Sequence, residues 1–166
     1  SVIIDAARDL KRLPTYAKEH GDIVSSADME AEDAIVATIR AAFPGHAILG
    51  EESGNIAGAR DGAGYKWIID PIDGTANFVH GFPYFAVSIG LEREGVIVAG
   101  VVYNVIRDEL FWAEKGNGAY LNDRRLRVAA RSDMRDALFA TGSPFLGKAG
   151  HDKFLEEVER VIGKSA

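Results

Sequence analysis

The stretch Trp67-Ile-Ile-Asp70-Pro71-Ile72-Asp73-Gly74-Thr75 joins an apolar segment to two closely spaced carboxylates. A short apolar run at residues 65–69, followed by turn residues, predicts a buried strand. Pro71 fixes its own φ angle and prevents a helix between the two acids, so both carboxylates can converge on one point. Ligand sites are common at the edge of an open sheet where strands end. The stretch therefore predicts a buried strand that leads into an acidic site.

Two carboxylates a few ångströms apart repel each other unless a proton or a cation lies between them. Mg²⁺ meets this need because it is a hard cation that prefers oxygen ligands, and the Ile72 carbonyl is a further oxygen donor. Gly74 lets an anion approach the backbone, and a short helix predicted to begin at Thr75 favours negative charge there. A cation site beside an anion site indicates phosphate ester chemistry. The alternative is a plain tight turn, since Asp, Pro and Gly are common turn residues.

A second acidic pair, Glu51-Glu52, follows a short strand predicted at residues 47–50. Strand ends at one edge of a sheet can meet, which would bring these acids to Asp70 and Asp73. The alternative is a solvated loop, which is the commoner environment of paired glutamates.

The rest of the chain predicts an α+β fold with helices layered on an antiparallel meander sheet. Apolar residues at helical spacing predict one helix near the N-terminus and a long one that begins at a capping box of Ser25 and Asp28 and stops at Pro44. Short apolar segments separated by turns of two to four residues are typical of a meander. Strands are predicted at residues 65–69, 85–91, 96–104, 109–113, 119–121 and 126–128, a loop at 51–64, and an amphipathic helix from His151.

Composition excludes several classes of protein. The chain has 166 residues, a net charge of −6 and no cysteine, which excludes disulfides, thiolate zinc sites and cysteine nucleophiles. Its longest apolar run is far short of the roughly 18 residues of a membrane span, and its negative charge disfavours nucleic acid. We therefore expect a cytoplasmic protein without a membrane partner, and we regard nucleic acid as a disfavoured partner.

The acidic segments carry a family resemblance. Gly50-Glu51-Glu52-Ser53 and the longer run WIIDPIDGTANFVHG at 67–81 resemble the inositol monophosphatase family, the Mg²⁺-dependent, lithium-sensitive phosphatases. Asp22-Ile-Val-Ser-Ser-Ala-Asp28 is similar to the family's Asp-x-Val-Thr-x-x-Asp segment. The resemblance spans about residues 6–142 and implies the N-terminal half of an αβαβα sugar-phosphatase-type sandwich.

The resemblance also implies roles for individual residues. Thr75 would hydrogen-bond the nucleophilic water, and Asp28 would orient Thr75 from the start of the long helix. Lys18 aligns loosely with a basic residue near the family's site. We assign catalysis to Glu51, Thr75 and Asp28, metal binding to Glu51, Asp70, Ile72 and Asp73, and binding of the substrate phosphate to Ile72, Asp73, Gly74 and Thr75.

One departure from the family concerns its second half, where a Trp-Asp pair supplies a further metal ligand. Nothing similar follows Gly142. We therefore expect residues 1–142 to form an N-terminal metal-binding α+β domain and residues 143–166 to begin a C-terminal part that is missing from this sequence. The alternative is a truncated, inactive form.

The expected function is Mg²⁺-dependent hydrolysis of a phosphomonoester, as in inositol-1-monophosphatase, by metal-activated water without a phosphoenzyme. The resemblance implies a small phosphorylated polyol or sugar as substrate and is compatible with a homodimer. One alternative is a related phosphatase that acts on a nucleotide bisphosphate, fructose bisphosphate or histidinol phosphate. Another is a non-catalytic module of the same fold that regulates a protein or RNA partner.

Overall fold

A computed structural model of the chain describes residues 2–10, 14–17, 23–59, 62, 64–142 and 149–164. The described residues up to Tyr16 and from 23 to 126 form one compact unit, whereas Ala17 and those from 127 onward belong to a second. The predicted division between 142 and 143 adjoins residues outside this description and stays a prediction.

Three helices belong to the first unit: α1 (Val2–Ala7), α2 (Ser26–Ala42) and α3 (Thr75–Val79). The capping residues predicted for the long helix are in place. The amide and the hydroxyl of Ser25 both donate to Asp28 Oδ2, at 2.8 and 2.5 Å. These bonds satisfy polar groups at the start of α2, and the helix ends just before Phe43-Pro44 because proline cannot continue it.

The main sheet has eight strands in the order β10-β9-β8-β7-β6-β5-β3-β4, and β1 pairs with β2 separately. Every neighbouring pair of the main sheet is antiparallel except β3 and β5. The predicted α+β class, with helices over a meander, is confirmed. The strands are β1 (Thr15–Ala17), β2 (Ile23–Ser25), β3 (Ala47–Gly50), β4 (Gly54–Ile56), β5 (Tyr65–Asp73), β6 (Ala86–Arg93), β7 (Val96–Asn104), β8 (Glu109–Glu114), β9 (Gly118–Leu121) and β10 (Arg124–Arg125).

The parallel pairing of β3 with β5 brings two acidic segments together. Gly50 lies opposite Ile69, and the next amide, that of Glu51, donates to the Ile69 carbonyl at 3.0 Å. Because parallel strands end at the same edge of a sheet, Glu51 follows β3 at the level where Asp70 follows Ile69 in β5.

The strand β5 is longer than predicted and contains a bulge. Its pairing with β6 changes register between Asp70 and Asp73, and Pro71 lies inside this irregular segment. Proline has no amide to donate to a strand ladder, so it is tolerated within a strand chiefly at such bulges. A bulge also redirects the side chains around it, and here it separates the two acids.

Other predicted boundaries also differ from the structure. The predicted loop at 51–64 contains the short strand β4, and Glu51-Glu52-Ser53 forms the turn between β3 and β4. The strand predicted at 126–128 is displaced toward the N-terminus, since Arg124 and Arg125 pair with β9. Main-chain pairing at a sheet edge places few demands on side chains, so arginine is accepted there.

The helices cover one face of the sheet through two apolar clusters. The larger cluster includes Phe78 and Phe85, whose rings pack edge to face with their centroids 5.0 Å apart. The neighbouring aromatics Phe82 and Tyr84 are exposed. The buried members of the clusters are Ile3, Ala27, Ala31, Ile72, Phe78, Phe85 and Val105 in the larger, and Ile39, Ile48 and Ile69 in the smaller.

The second unit contains a 3₁₀-helix at Met134–Asp136 and the helix α4 (His151–Val161), which confirms the predicted C-terminal amphipathic helix. Among the described residues, no helix combines the length and the apolar character that a membrane crossing requires.

Candidate active site

The paired carboxylates of Glu51 and Asp70 form the centre of the site. Asp70 is half-buried, and its desolvation together with the nearby Glu51 and Asp73 charges raises its pKa to about 7. A side-chain hydrogen bond with Glu51 favours the protonated form of Asp70 as well, whereas a hydrogen bond with the Ile72 backbone acts in the opposite direction. Two acids in this relation need a proton or a cation between them.

The second oxygen of Asp70 provides an independent test of whether a cation fits. Asp70 Oδ1 is buried and finds no hydrogen-bond partner among the described residues. A buried polar atom without a partner costs free energy, and a cation at this position would remove that cost. The donors nearby are carboxylate and carbonyl oxygens, the ligands that Mg²⁺ prefers. The residues present therefore fit a magnesium ion.

Asp73, which is also a predicted metal ligand, is not part of the carboxylate pair formed by Glu51 and Asp70. It lies beyond the bulge at the exposed end of β5, although its charge still acts on Asp70. Across the part of the chain that the structure describes, no three His, Asp or Glu side chains are grouped closely enough to hold an ion. The structure thus pairs Glu51 with Asp70, and the complete ligand set stays a prediction.

A hydrogen-bonded chain links α2 to the start of α3. Thr75 Oγ1 lies 3.0 Å from Asp28 Oδ1 and 3.0 Å from the Ile72 carbonyl oxygen. Asp28 is buried and also accepts from the Ser25 amide and hydroxyl. A hydroxyl has one proton, which Asp28, as a charged acceptor, attracts more strongly than a carbonyl does. The contact predicted between Asp28 and Thr75 is therefore present.

Gly74 precedes α3 in a conformation that favours glycine. Its φ angle is +97°, and a Cβ atom there would lie 3.2 Å from the Tyr84 carbonyl oxygen. Both features exclude a larger residue without strain. The missing side chain lets Tyr84 and Phe85 pack close to this turn. The phosphate site assigned to Gly74 stays a prediction.

A cavity of about 310 Å³ opens directly beside this glycine. Its lining includes Asp73, Gly74, Asn77 and Tyr84, and its volume lies at the lower end of the range for small-ligand sites, about 300 to 1,000 Å³. A larger apolar groove of about 1,050 Å³ runs over the strands β6 to β9. Its walls are mainly glycine, alanine and aliphatic side chains, which offer no converging carboxylates.

The sequence prediction missed Glu32. This residue lies one turn after Asp28 in α2, is buried, and accepts hydrogen bonds from the amides of the turn that contains Glu51. Its position four residues after Asp28, on the same helix face, was the available signal. Lys18, by contrast, lies outside the described residues.

Known proteins are similar to this chain in both sequence and fold. A family model described as "Inositol monophosphatase family" matches residues 2–165. The chain is 49% identical over 158 residues to a protein named inositol-1-monophosphatase from Rhizobium meliloti (strain 1021), which covers 95% of this chain and 59% of that protein. It is 44% identical over 164 residues to a Pseudomonas aeruginosa protein named Nus factor SuhB, covering 96% of this chain and 60% of that protein.

Among solved structures, the extragenic suppressor protein suhB from Bartonella henselae superposes with a TM-score of 0.94 at 45% identity. The alignment covers 99% of this chain and 62% of that one. The chain therefore spans about 60% of the length of these relatives.

Proposed function

The chain belongs to the inositol monophosphatase family, and from this membership we propose that the protein is a Mg²⁺-dependent phosphomonoester hydrolase. The observation that carries the proposal is the pairing of Glu51 with Asp70, in which the buried Asp70 Oδ1 lacks a hydrogen-bond partner among the described residues. We infer that the substrate is inositol 1-phosphate or a similar small phosphorylated polyol, since a relative at 49% identity is named for this activity.

The carboxylates of Glu51, Asp70 and Asp73 and the carbonyl of Ile72 would hold the metal. When bound, Mg²⁺ would neutralise the phosphate and lower the pKa of a water molecule. Without a cation, these acids would repel a phosphate, so we expect weak substrate binding by the metal-free protein.

The protein's own groups would orient the reactants. Because the Thr75 hydroxyl donates its proton to Asp28 in a hydrogen bond, the lone pairs of the Thr75 oxygen can accept a hydrogen bond from an attacking water and orient it. The amides of Gly74 and Thr75, at the start of α3, would bind phosphate oxygens. The remainder of a small polyol would extend into the cavity beside Asp73 and Asn77.

The proposal is tested by phosphate release from the protein expressed from its complete reading frame. The substrates are inositol 1-phosphate, fructose 1,6-bisphosphate, histidinol phosphate and a nucleotide 3′,5′-bisphosphate, each with and without Mg²⁺. We expect the highest kcat/KM with inositol 1-phosphate, no turnover in EDTA, and loss of turnover in Asp70→Asn but not in the exposed control Glu30→Gln. Absence of Mg²⁺-dependent release from all four would refute the proposal.

A second candidate function is regulation without catalysis. It is favoured by the 44% identity to a relative named Nus factor SuhB. We expect a regulatory protein to retain its cellular effect after loss of the metal site. Full complementation of a deletion strain by Asp70→Asn would support regulation, and failure of this variant beside a complementing Glu30→Gln would support catalysis.

A further inference from the structure

Glu32 is a charged residue in an environment that normally excludes charge. It lies in α2 with 2% of its surface exposed. Glutamate is rarely buried to this extent without partners, because removing a carboxylate from water is unfavourable unless hydrogen bonds or an opposite charge compensate for the lost hydration. A carboxylate buried to this extent needs hydrogen-bond donors within the protein.

The partners of Glu32 are two consecutive backbone amides. Its Oε2 accepts from the Glu52 amide at 2.9 Å, and its Oε1 accepts from the Ser53 amide at 2.7 Å. Both amides belong to the β3–β4 turn, whose first residue is Glu51. One carboxylate thus fixes the main chain immediately after the residue that pairs with Asp70.

Gly50 supplies independent evidence that this contact is closely fitted. A Cβ atom at this position would collide with Glu32 Oε1 and lie 2.6 Å from Ser53 Oγ. The carboxylate therefore occupies the space that a side chain at position 50 would need. The absence of a side chain at Gly50 allows the helix and the end of β3 to approach each other.

We propose that Glu32 is a positioning residue that holds the β3–β4 turn so that Glu51 faces Asp70, and that it thereby sets the affinity of the site for Mg²⁺. This inference rests on the proposed function. Asp28 and Glu32 are four residues apart and lie on one face of α2. A single helix face therefore orients Thr75 through Asp28 and Glu51 through Glu32.

The decisive experiment measures Mg²⁺ binding by isothermal titration calorimetry in Glu32→Gln, with the exposed Glu30→Gln on the same helix as control. Glutamine preserves the volume but presents one acceptor oxygen to two amide donors. Losing a group that orients a metal ligand typically weakens metal affinity about 10- to 100-fold. We expect a Kd for Mg²⁺ about tenfold higher in Glu32→Gln and unchanged in Glu30→Gln.

Two further measurements separate positioning from general stability. We expect a higher Mg²⁺ concentration to recover part of the turnover that Glu32→Gln loses at low Mg²⁺, since the variant weakens binding of the metal. Added Mg²⁺ should raise Tm less in Glu32→Gln than in the parent at equal concentration. A purely structural role would lower Tm in EDTA and leave the Mg²⁺ Kd unchanged.

Each outcome decides the inference. A parent-like Kd in Glu32→Gln overturns it while the proposed function stands, whereas a parent protein that neither binds Mg²⁺ nor releases phosphate overturns both. If Glu32→Gln does not fold, the same titration on Gly50→Ala decides, because the added Cβ displaces the same carboxylate. A raised Kd in that variant supports the inference, and an unchanged Kd refutes it.

Discussion

Asp70 has a pKa near 7 in the folded, metal-free protein, because burial and the neighbouring carboxylate of Glu51 disfavour its charge. In the unfolded chain, an aspartate titrates near about 3.9. Between these two values the folded state binds more protons than the unfolded state. The free energy of unfolding therefore falls as the pH rises from about 4 to about 7, since stability decreases with pH where the folded state holds the extra proton.

The first prediction follows from this proton linkage. Asp70→Asn removes the ionisable group and nearly preserves its shape, so in EDTA we expect a higher Tm than the parent at pH 8 and no difference near pH 4. Circular dichroism melts across the pH range measure the effect. The exposed Asp123→Asn serves as control, and equal melting of Asp70→Asn and parent at pH 8 would contradict the assigned pKa.

The second prediction concerns the residue that holds Thr75. Asp28→Asn offers an amide where three donors now converge, so the Thr75 hydroxyl loses its strongest acceptor. Misplacement of a reacting group by about 1 Å costs roughly 100-fold in rate, and we expect a decrease in kcat of about this size. Calorimetric Mg²⁺ binding should remain at the parent value, because Asp28 is not among the proposed ligands; a large loss of Mg²⁺ affinity would count against the assignment.

The contact of Thr75 with Asp28 and the closeness of Glu51 to Asp70 were predictable from the sequence, whereas the metal and phosphate roles of these residues stay predictions. The motif contains the acids, the glycine and the threonine, and their order along the chain follows local rules. Glu32 escaped prediction because an acidic residue in a helix is usually solvated. Glu32 is buried because α2 packs against the β3–β4 turn in the folded chain.

At the scale of elements, the short helix α3 depends on the turn that precedes it. The backbone at Gly74 has a positive φ angle and also passes close to the Tyr84 carbonyl. The hairpin between β6 and β7 contains another glycine, Gly95, with a φ angle of +81°, where an added Cβ would meet no described atom within 4 Å. The two glycines therefore share one conformational demand but differ in available space.

The third prediction uses this difference. An alanine at a left-handed backbone position costs about 1–2 kcal/mol in unfolding free energy, and we expect Gly95→Ala to lose about that amount. Gly74→Ala should lose more, because its Cβ also presses against the Tyr84 carbonyl. Urea denaturation of both variants measures the two losses, and a loss at Gly74 no larger than at Gly95 would show that the close contact relaxes freely.

Strands bounded by turn residues were predicted well, and those defined by distant partners were not. The limits predicted for β7 agree with the structure because both ends carry turn residues. The strand β4 has three residues, too few for a periodic pattern, and it exists because β3 offers an edge to pair with. The sequence did not predict that β5 continues through Pro71, because a bulge forms only when two strands pair and a single segment carries no sign of it.

At the scale of the whole molecule, Mg²⁺ should act as a ligand that selects the folded state. The paired acids come from β5 and from the turn after β3, so an unfolded chain cannot present them together. A ligand that binds only the folded state at 100 times its Kd adds about 2.7 kcal/mol to the unfolding free energy.

The fourth prediction is therefore a rise in Tm with Mg²⁺ concentration that is absent in Asp70→Asn. Differential scanning calorimetry at several Mg²⁺ concentrations measures the rise, and Na⁺ at equal ionic strength controls for general salt effects. Equal stabilisation of parent and variant would place the bound Mg²⁺ elsewhere on the protein.

The single parallel pair in an otherwise antiparallel sheet has a consequence for protein design. If β3 ran in the opposite direction, the residue after its last position would lie at the far end of the pairing, more than about 10 Å from Asp70 at roughly 3.3 Å per residue. A scaffold intended to receive this pair of acids must therefore contain one parallel neighbour with its crossover connection. If the same two segments were placed in a simple hairpin, their sequences would be unchanged but Glu51 and Asp70 would lie apart.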